Sequence, residues 1–373
     1  MYRVYANNKV LHHPHLFERG YILLDTVRIE SSNVHGSFEF TMLPSHPEYD
    51  SLKKLVTWIY IYDDDKEVFR GRVLTDTIDF QNNKRVYCEG ELAVFVDSVV
   101  RPFTYAGTVR GFVQKLIDNH NGQVSEDKRF TLGQVTVTDS NDYIVRESNS
   151  AMTTWDAITS RMVELMGGYV RVRKVGNTRY FDYIESYDRV ASQEIVFGEN
   201  LLDMERFVSA ENLFTCLIPY GAQLNQGDSG FVVPPASGEY DGNRVTIKTV
   251  NGGKDYIKND TAVGLFGQIW KAATWDDVTL PANLLTKARA YLDANVVESL
   301  SITAKAVDLF LFDPAVKSIE LGDLVRTRST LHDVDVYLQV TEKQYSLLKP
   351  EDCVITLGFP RTDLTTYISD KTR

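Results

Sequence analysis

Residues 212–221 read NLFTCLIPYG, and this stretch indicates β-structure in the second half of the chain. Its apolar residues are Leu213, Phe214, Cys216, Leu217 and Ile218, and the turn signal Pro219-Tyr220-Gly221 follows them. A short apolar run bounded by turn residues is typical of a buried strand. We therefore predict strand structure over residues 197–220.

Downstream of this run the pattern changes twice. Residues 223–242 are rich in Gly, Ser, Pro and Asn, which predicts a loop or a boundary. A short helical segment is predicted from Val263, Phe266 and Trp270, and a longer helix opens at Pro281 and carries Leu284, Leu285, Ala288, Tyr291 and Leu292 on one stripe. Strands are predicted again at 300–306, 324–327, 334–344 and 353–358. The helices thus interrupt a β region.

Upstream, residues 1–100 alternate between apolar runs and turn signals, with predicted strands at 27–30, 37–42, 58–62, 68–74 and 85–96.

Residues 101–196 show a different pattern, in which helices and strands are mixed. A helix is predicted from Val109, Phe112, Val113, Leu116 and Ile117, ending at Asn121-Gly122. A second helix, bearing Trp155, Ile158, Thr159, Met162, Leu165 and Met166, lies between a cap at Thr153 or Thr154 and a stop at Gly167-Gly168. A hairpin is predicted across Gly176-Asn177.

These patterns predict a mixed α+β, mainly β, multidomain protein. We predict a first β-barrel domain at 1–100, an α+β domain at 101–196, a second, related β-barrel domain at 197–236 with 298–358, and a helical insertion with a C-terminal domain at 237–297 with 359–373. At 373 residues the chain exceeds the size of one hydrophobic core, which agrees with several domains.

The charge excludes one class of function. The net charge is −11, from 51 acidic and 40 basic residues, whereas stable nucleic-acid binding depends on clustered Lys and Arg. An acidic lining would instead let DNA slide past without binding, although plain solubility explains the same charge. No apolar window reaches the length of a membrane span, and the N-terminus has no export signal, so we expect a soluble protein.

Candidate catalytic and metal-binding groups are sparse. Cys88, Cys216 and Cys353 alternate with apolar residues at strand spacing, which predicts buried, reduced thiols. His12, His13 and His15 surround Pro14; a turn or surface contact is the favoured interpretation, and a metal site on one strand face is the alternative. The run 63–65, three aspartates, lacks the ligand spacing of a calcium loop and predicts a hairpin tip. No zinc-peptidase, phosphate-loop, dinucleotide or nucleophile-elbow motif occurs. We predict no catalytic, cofactor-binding or metal-binding residues.

Three segments resemble the prophage endopeptidase tail family, the N-terminal hub module of phage tail-associated lysins. They are Asn212 to Gly221; 265–269 with 275–278 and 284–292; and 306–309 with 321–325, 340–345 and 355–358. The domain pattern is also similar to the baseplate hub protein of contractile-tailed phages. That resemblance implies two β-barrels per subunit and a trimeric ring that imitates sixfold symmetry. It transfers no catalytic position.

The predicted function is a structural tail-tip hub, without enzymatic activity, assembled in the host cytoplasm and located in the virion. The expected partners are two further copies of the chain, a distal tail protein or tail tube hexamer, a spike, fibre or lytic domain, the tape-measure protein, and DNA in passage. One alternative is a cell-wall-degrading tail endopeptidase. The other is a receptor- or glycan-binding tail protein, which only the aromatic content of 20 Tyr and 18 Phe suggests.

Overall fold

The computed structural model describes residues 2–139, 143–210, 213–222, 244–275, 278–296, 299–306, 308–311, 315–349 and 352–358. The predicted loop at 223–242 and residues 359–373 of the predicted C-terminal domain lie outside them. The chain divides into two compact units. The first unit comprises residues 1–205 and 302–358, and the second comprises residues 206–301.

The first hundred residues are built from β-strands, as the alternating pattern predicts. Strand β4 shows the cause, because Phe38, Phe40 and Met42 face the core while Glu39 and Thr41 between them do not. The strands are β1 Tyr2–Ala6, β2 Lys9–His12, β3 Leu24–Ser31, β4 Ser37–Met42, β5 Trp58–Asp63, β6 Lys66–Ile78 and β7 Lys84–Gly90. A 3₁₀ helix spans Pro14–Arg19.

The strand predicted at 85–96 is wrong in its second half. Strand β7 ends at Gly90, where an added Cβ would lie 1.9 Å from the carbonyl oxygen of His35, so only glycine permits this approach. A 3₁₀ helix, Glu91–Asp97, follows and buries four successive residues from Leu92 to Phe95. A strand would have turned half of them away from the core.

Residues 99–184 combine helices and short strands around one core. The strands are β8 Val99–Val100, β9 Phe103–Gly107, β10 Thr131–Val135, β11 Ile144–Ser148, β12 Met152–Thr153, β13 Tyr169–Val175 and β14 Thr178–Ile184. Helix α1 spans Val109–Asn121, and a 3₁₀ turn spans Glu126–Lys128. Helices α2 Thr154–Ile158 and α3 Glu164–Met166 flank a π-helical turn, Thr159–Val163.

Both predicted helices and the hairpin of this region are confirmed. Thr108 caps α1 through the amide of Gly111, and Thr153 forms a capping box with Asp156. The core contains Phe112 and Phe181, and it also includes Trp58 and Phe95 from the first hundred residues.

Six further described strands extend the first unit's sheet. They are β15 Ile195–Val196, β16 Leu201–Ser209, β20 Ser299–Ala306, β21 Leu324–Ser329, β22 Val334–Tyr345 and β23 Val354–Gly358, with 3₁₀ turns at Leu309–Leu311 and Thr330–His332. One path of paired strands reads β23-β22-β3-β4-β7-β6-β5-β1-β2. The path continues from β23 through β20 to β16, and among the described strands its two end strands, β16 and β2, do not pair. The mainly β class is confirmed, while barrel closure stays a prediction.

The second unit has its own core. Its strands are β17 Cys216–Tyr220, β18 Ile257–Lys258 and β19 Trp270–Thr274, its helices are α4 Asp260–Phe266 and α5 Pro281–Asp293, and a 3₁₀ turn spans Lys248–Val250. Phe214 and Leu217 pack against Leu284, Ala288 and Leu292 of α5. Strand β17 therefore pairs with strands of the predicted insertion.

The helical assignment of Trp270 is wrong. Asn259 caps α4, and Gly267, at a left-handed φ of 80°, ends it at Phe266. Trp270 then begins β19, which runs parallel to β17. Every helix in the described ranges is too short or too polar to cross a membrane.

Candidate functional site

The pairing of β3 with β22 is the feature that joins the N-terminal and C-terminal β regions. The strands are antiparallel, with Arg28 opposite Tyr345 and Ile29 opposite Gln344. Next to this ladder, the Thr26 hydroxyl accepts a hydrogen bond from the Leu347 amide at 3.0 Å. We call this pairing the sheet junction.

A buried arginine holds the sheet junction. The Arg28 guanidinium donates to the Tyr345 hydroxyl and pairs with the Glu30 carboxylate, and its central carbon lies 5.7 Å from the centre of the Phe69 ring. Arg28 is 6% exposed. Because a buried charge is tolerated only when it is paired and hydrogen-bonded, these contacts make the junction specific for this arginine.

The electrostatics of the junction favour a fixed structure. Burial alone would lower the pKa of Arg28, but the Glu30 carboxylate and Tyr345 hold that pKa above its ordinary value. Burial raises the pKa of Tyr345 well above its usual range. The arginine therefore stays charged and the phenol stays protonated, so this pair supplies no general acid or base near neutral pH.

A second polar cluster fastens β22 to Asp308 and to residues 318–319. Lys343 Nζ donates to the Ile319 carbonyl at 2.6 Å and lies 3.5 Å from the Asp308 carboxylate. Asp308 also accepts from the Gln193 amide at 2.6 Å and from the Ser318 hydroxyl. Burial opposes the charge of Asp308, yet Lys343 and these donors lower its pKa. The described partners of this carboxylate are groups of the chain itself, so Asp308 holds these segments together.

Strand β22, which contributes to both clusters, lies in a part of the chain that matches a known family. Residues 189–368 match the family model described as prophage endopeptidase tail. The resemblance is confirmed. The match covers just under half of the chain, and no curated protein matches the sequence significantly.

Solved structures share the fold over almost the whole chain. A tail protein from Neisseria meningitidis MC58 has a TM-score of 0.63 at 13% identity and covers 96% of both chains. The prophage MuSo2 43 kDa tail protein from Shewanella oneidensis has a TM-score of 0.58 at 10% identity, over 95% of this chain and 97% of that chain. A prophage tail protein from Listeria monocytogenes EGD-e has a TM-score of 0.55 at 13% identity, over 93% and 91%. At these identities the likeness concerns the fold.

The word endopeptidase in the prophage tail family's description makes the histidines relevant. His12 is buried, and its Nδ1 accepts from the Leu23 amide at 3.3 Å, whereas His13 Nδ1 accepts from the His15 amide at 3.2 Å at the start of the first 3₁₀ helix. His13 and His15 thus lie at a turn, as the favoured interpretation has it, whereas His12 is a buried residue at the end of β2. In the described part of the chain no three His, Cys, Asp or Glu residues are grouped as metal ligands.

Burial of His12 predicts acid-sensitive stability. Burial, with repulsion from His13 and His46, lowers the pKa of His12 from 6.5 to about 4. The unfolded chain takes up this proton below about pH 6.5 and the folded chain does so only near pH 4, so stability present above pH 6.5 is lost as the pH falls through this window. The full shift corresponds to about 3 kcal/mol, of which we expect about 2 kcal/mol to be lost between about pH 7 and about pH 4.5.

Urea unfolding of the native protein and of His12→Gln, each at about pH 7 and about pH 4.5, measures this contribution. The carboxylates titrate in both proteins, so the native protein should lose about 2 kcal/mol more than the variant between the two pH values. Equal losses would show that His12 is not the responsible group.

The cysteines and the aspartate run behave as predicted from the sequence. Cys88, Cys216 and Cys353 are buried. Burial raises the pKa of Cys88 well above its usual value and that of Cys353 to about 11, which keeps both thiols protonated and unreactive. Asp64 and Asp65 form the turn between β5 and β6, where Arg3 pairs with Asp65 at 3.3 Å.

The residues of the sheet junction were missed by the sequence analysis. Arg28 lies inside a predicted strand but looks like a solvent-facing charge there. The available signal was the alternation of polar and apolar residues over 26–29. The structure buries Thr26 and Arg28 and leaves Val27 and Ile29 only partly buried, but alternation alone does not say which face is inward.

Proposed function

We propose that this chain is a structural component of a phage or prophage tail tip, in which three copies form a ring between the tail tube and a spike, fibre or lytic domain. The sheet junction carries the proposal, because it places strands from both ends of the chain in one sheet. Two similar β regions per copy would let a threefold ring present six contact surfaces to a sixfold tube. The proposal therefore requires the two β regions to offer similar outer surfaces.

The family match and the fold support a tail protein of the virion. Its assembly in the host cytoplasm is part of the proposal. The proposed neighbours are a distal tail protein or the tail tube hexamer on one side, the spike, fibre or lytic domain on the other, and the tape-measure protein within. DNA would pass through the ring. A net charge of −11 suits such a passage, because like charge repels the phosphates.

An exposed aromatic residue offers a contact for assembly. Phe80 is fully exposed at the tip of the β6–β7 hairpin. Hydrogen bonds hold the backbone of the tip: the Asp79 carboxylate accepts from the amides of Gln81 and Asn83 at 2.8 Å each, and the Tyr49 hydroxyl donates to the Asn82 carbonyl at 2.7 Å. An exposed aromatic ring carried on a hydrogen-bonded loop is typical of an interface anchor, because the loop backbone loses little entropy on binding.

The test is assembly with the tail tube protein of the same phage or prophage. We expect light scattering to give three chain masses for the ring, and electron cryo-microscopy of tails to place one threefold ring at the tip. Phe80→Ala should weaken binding to the tube protein about tenfold or more, while Phe80→Tyr should retain it. A monomeric chain on the tail, or a tip without threefold symmetry, contradicts the proposal.

The enzymatic alternative has its own test. Incubation of the chain with purified cell wall, with and without a chelator, should release no peptides or sugars. Chelator-sensitive release by these 373 residues would assign a peptidase activity and overturn the purely structural role.

A further inference from the structure

The second unit contains a polar cavity whose lining residues take no part in the sheet junction or in the cluster of Lys343 and Asp308. Its volume is about 330 Å³, and it lies between residues 251–259 and helix α5. The side chains that matter for binding are Asn251, Lys254, Tyr256, Lys258, Arg289 and Asp293. The volume is within the range of ligand-binding pockets and suits about one sugar unit.

The cavity carries excess positive charge. Lys254, Lys258 and Arg289 line it, and Lys258 is paired with Asp260 at 2.9 Å. Within the described ranges neither Lys254 nor Arg289 has an ion pair with an acidic residue. Two of the three cations are therefore available for a ligand. They outnumber Asp293, the carboxylate that also lines the cavity, so the charge favours an anion such as a phosphate monoester.

The backbone on one side of the cavity is fixed in place. Asn251 Nδ2 donates to the carbonyl groups of Tyr256, at 2.8 Å, and of Lys254, at 3.2 Å. Gly252 and Gly253 both have left-handed φ, which lets the chain turn tightly here. This arrangement uses the amide nitrogen of Asn251, and among the described residues no donor occupies its amide oxygen, which can accept from a ligand hydroxyl.

The other groups suit the remainder of a sugar. Asp293 accepts one long bond, 3.3 Å, from the Asn259 amide, and a carboxylate has further acceptor sites for hydroxyl groups. Tyr256 forms an aromatic wall, and the Trp270 ring packs edge-on against it with centroids 5.2 Å apart. Trp270 is half-exposed, so the aromatic surface continues beyond the cavity. Such rings contact the apolar face of a sugar.

We propose that this cavity binds a phosphorylated saccharide, with Lys254 and Arg289 contacting the phosphate and with Tyr256, Asn251 and Asp293 contacting the sugar. Neither the phosphate nor the sugar alone is expected to bind as tightly as the phosphorylated saccharide. The cations are exposed, where a phosphate contact is screened by salt, and the sugar contacts alone leave the positive charge unmatched. The binding does not depend on ring assembly.

Isothermal titration calorimetry of the full chain at low ionic strength tests the proposal, with glucose 6-phosphate as the probe. The comparison ligands are glucose, glucuronate and inorganic phosphate. We expect glucose 6-phosphate to bind at least about tenfold more tightly than each of the three. Equal affinity for inorganic phosphate would mean simple anion binding, and equal affinity for glucuronate would remove the phosphate specificity; either result overturns the proposal. So does the absence of glucose 6-phosphate binding at about 10 mM.

Three variants locate the binding. Arg289→Gln should weaken glucose 6-phosphate about tenfold, because one charge-assisted contact is lost, and Tyr256→Leu should weaken it with little effect on inorganic phosphate. Arg129→Gln is the matched control, since Arg129 is also exposed but lies in the first unit. If Arg129→Gln and Arg289→Gln have the same effect, the ligand does not occupy this cavity. Circular dichroism confirms that each variant is folded.

Discussion

Replacing Arg28 with alanine is expected to lower the free energy of unfolding by about 3–5 kcal/mol, because it breaks a buried ion pair and leaves its partners unsatisfied. The Tyr345 hydroxyl loses its donor, and Glu30 loses its counter-charge at the sheet junction. The Phe69 and Tyr345 rings also lose the guanidinium that lies between 5.4 and 5.7 Å from their centres. Urea unfolding at neutral pH measures the change.

The matched control is Arg85→Ala. Arg85 also lies on a strand of the first unit and also pairs with a glutamate, Glu39, at 2.7 Å, but its side chain is 71% exposed. Exposed ion pairs contribute about 0–1 kcal/mol, so this variant should be nearly as stable as the native protein. Similar losses in both variants would mean that burial does not decide the strength of the junction.

A double variant separates charge from packing at the same position. Arg28→Met with Glu30→Gln removes both charges and keeps much of the volume, so it should recover part of the stability lost in Arg28→Ala. If it is no more stable than Arg28→Ala, the hydrogen bond to Tyr345 is the main contribution of Arg28.

Helices with local signals were predictable from the sequence. Helix α1 has its apolar stripe, its Thr108 cap and its Gly122 stop within fifteen consecutive positions, and α5 opens at Pro281. These signals act between near neighbours, so no distant contact is needed to place the helix. Strand β4 was predictable for the same reason, because its alternation is complete over six residues.

Element ends that depend on distant backbone were not predictable. Strand β7 stops at Gly90 because His35 approaches it, and nothing near Gly90 in the sequence announces that contact. Trp270 continues the helical spacing of Val263 and Phe266, so periodicity alone could not separate it from α4. The glycine at 267 was the available signal for the change.

The candidate sites could not be read from the sequence for a related reason. Arg28 and Tyr345 are 317 positions apart, and no local pattern brings them together. The family resemblance came from the order of several motifs in the second half and therefore indicated the fold without indicating the junction. The cavity in the second unit likewise combines a loop at 251–259 with Arg289 of a helix.

Phe95→Ala is expected to lower the free energy of unfolding of the first unit by about 3–5 kcal/mol, the loss typical of a large cavity in a well-packed core. Phe95 is completely buried. Its ring stacks on Phe130 with centroids 4.9 Å apart and meets Phe181 edge-on at 5.2 Å. Phe80→Ala is the matched control, because a fully exposed phenylalanine should change stability by less than about 0.5 kcal/mol.

The same variant tests whether residues 1–100 and 101–196 are separate domains, as the sequence predicts. Phe95 belongs to the first region by position, whereas Phe130 and Phe181 belong to the second, and all three share one core. We therefore expect hydrogen exchange in β4 and in α1 to accelerate together in Phe95→Ala. If α1 loses protection while β4 keeps it, the two regions unfold independently and the predicted boundary is a real division. A loss no larger than that of Phe80→Ala would show instead that this core relaxes around the missing ring, since cavity cost depends on how far the surroundings collapse.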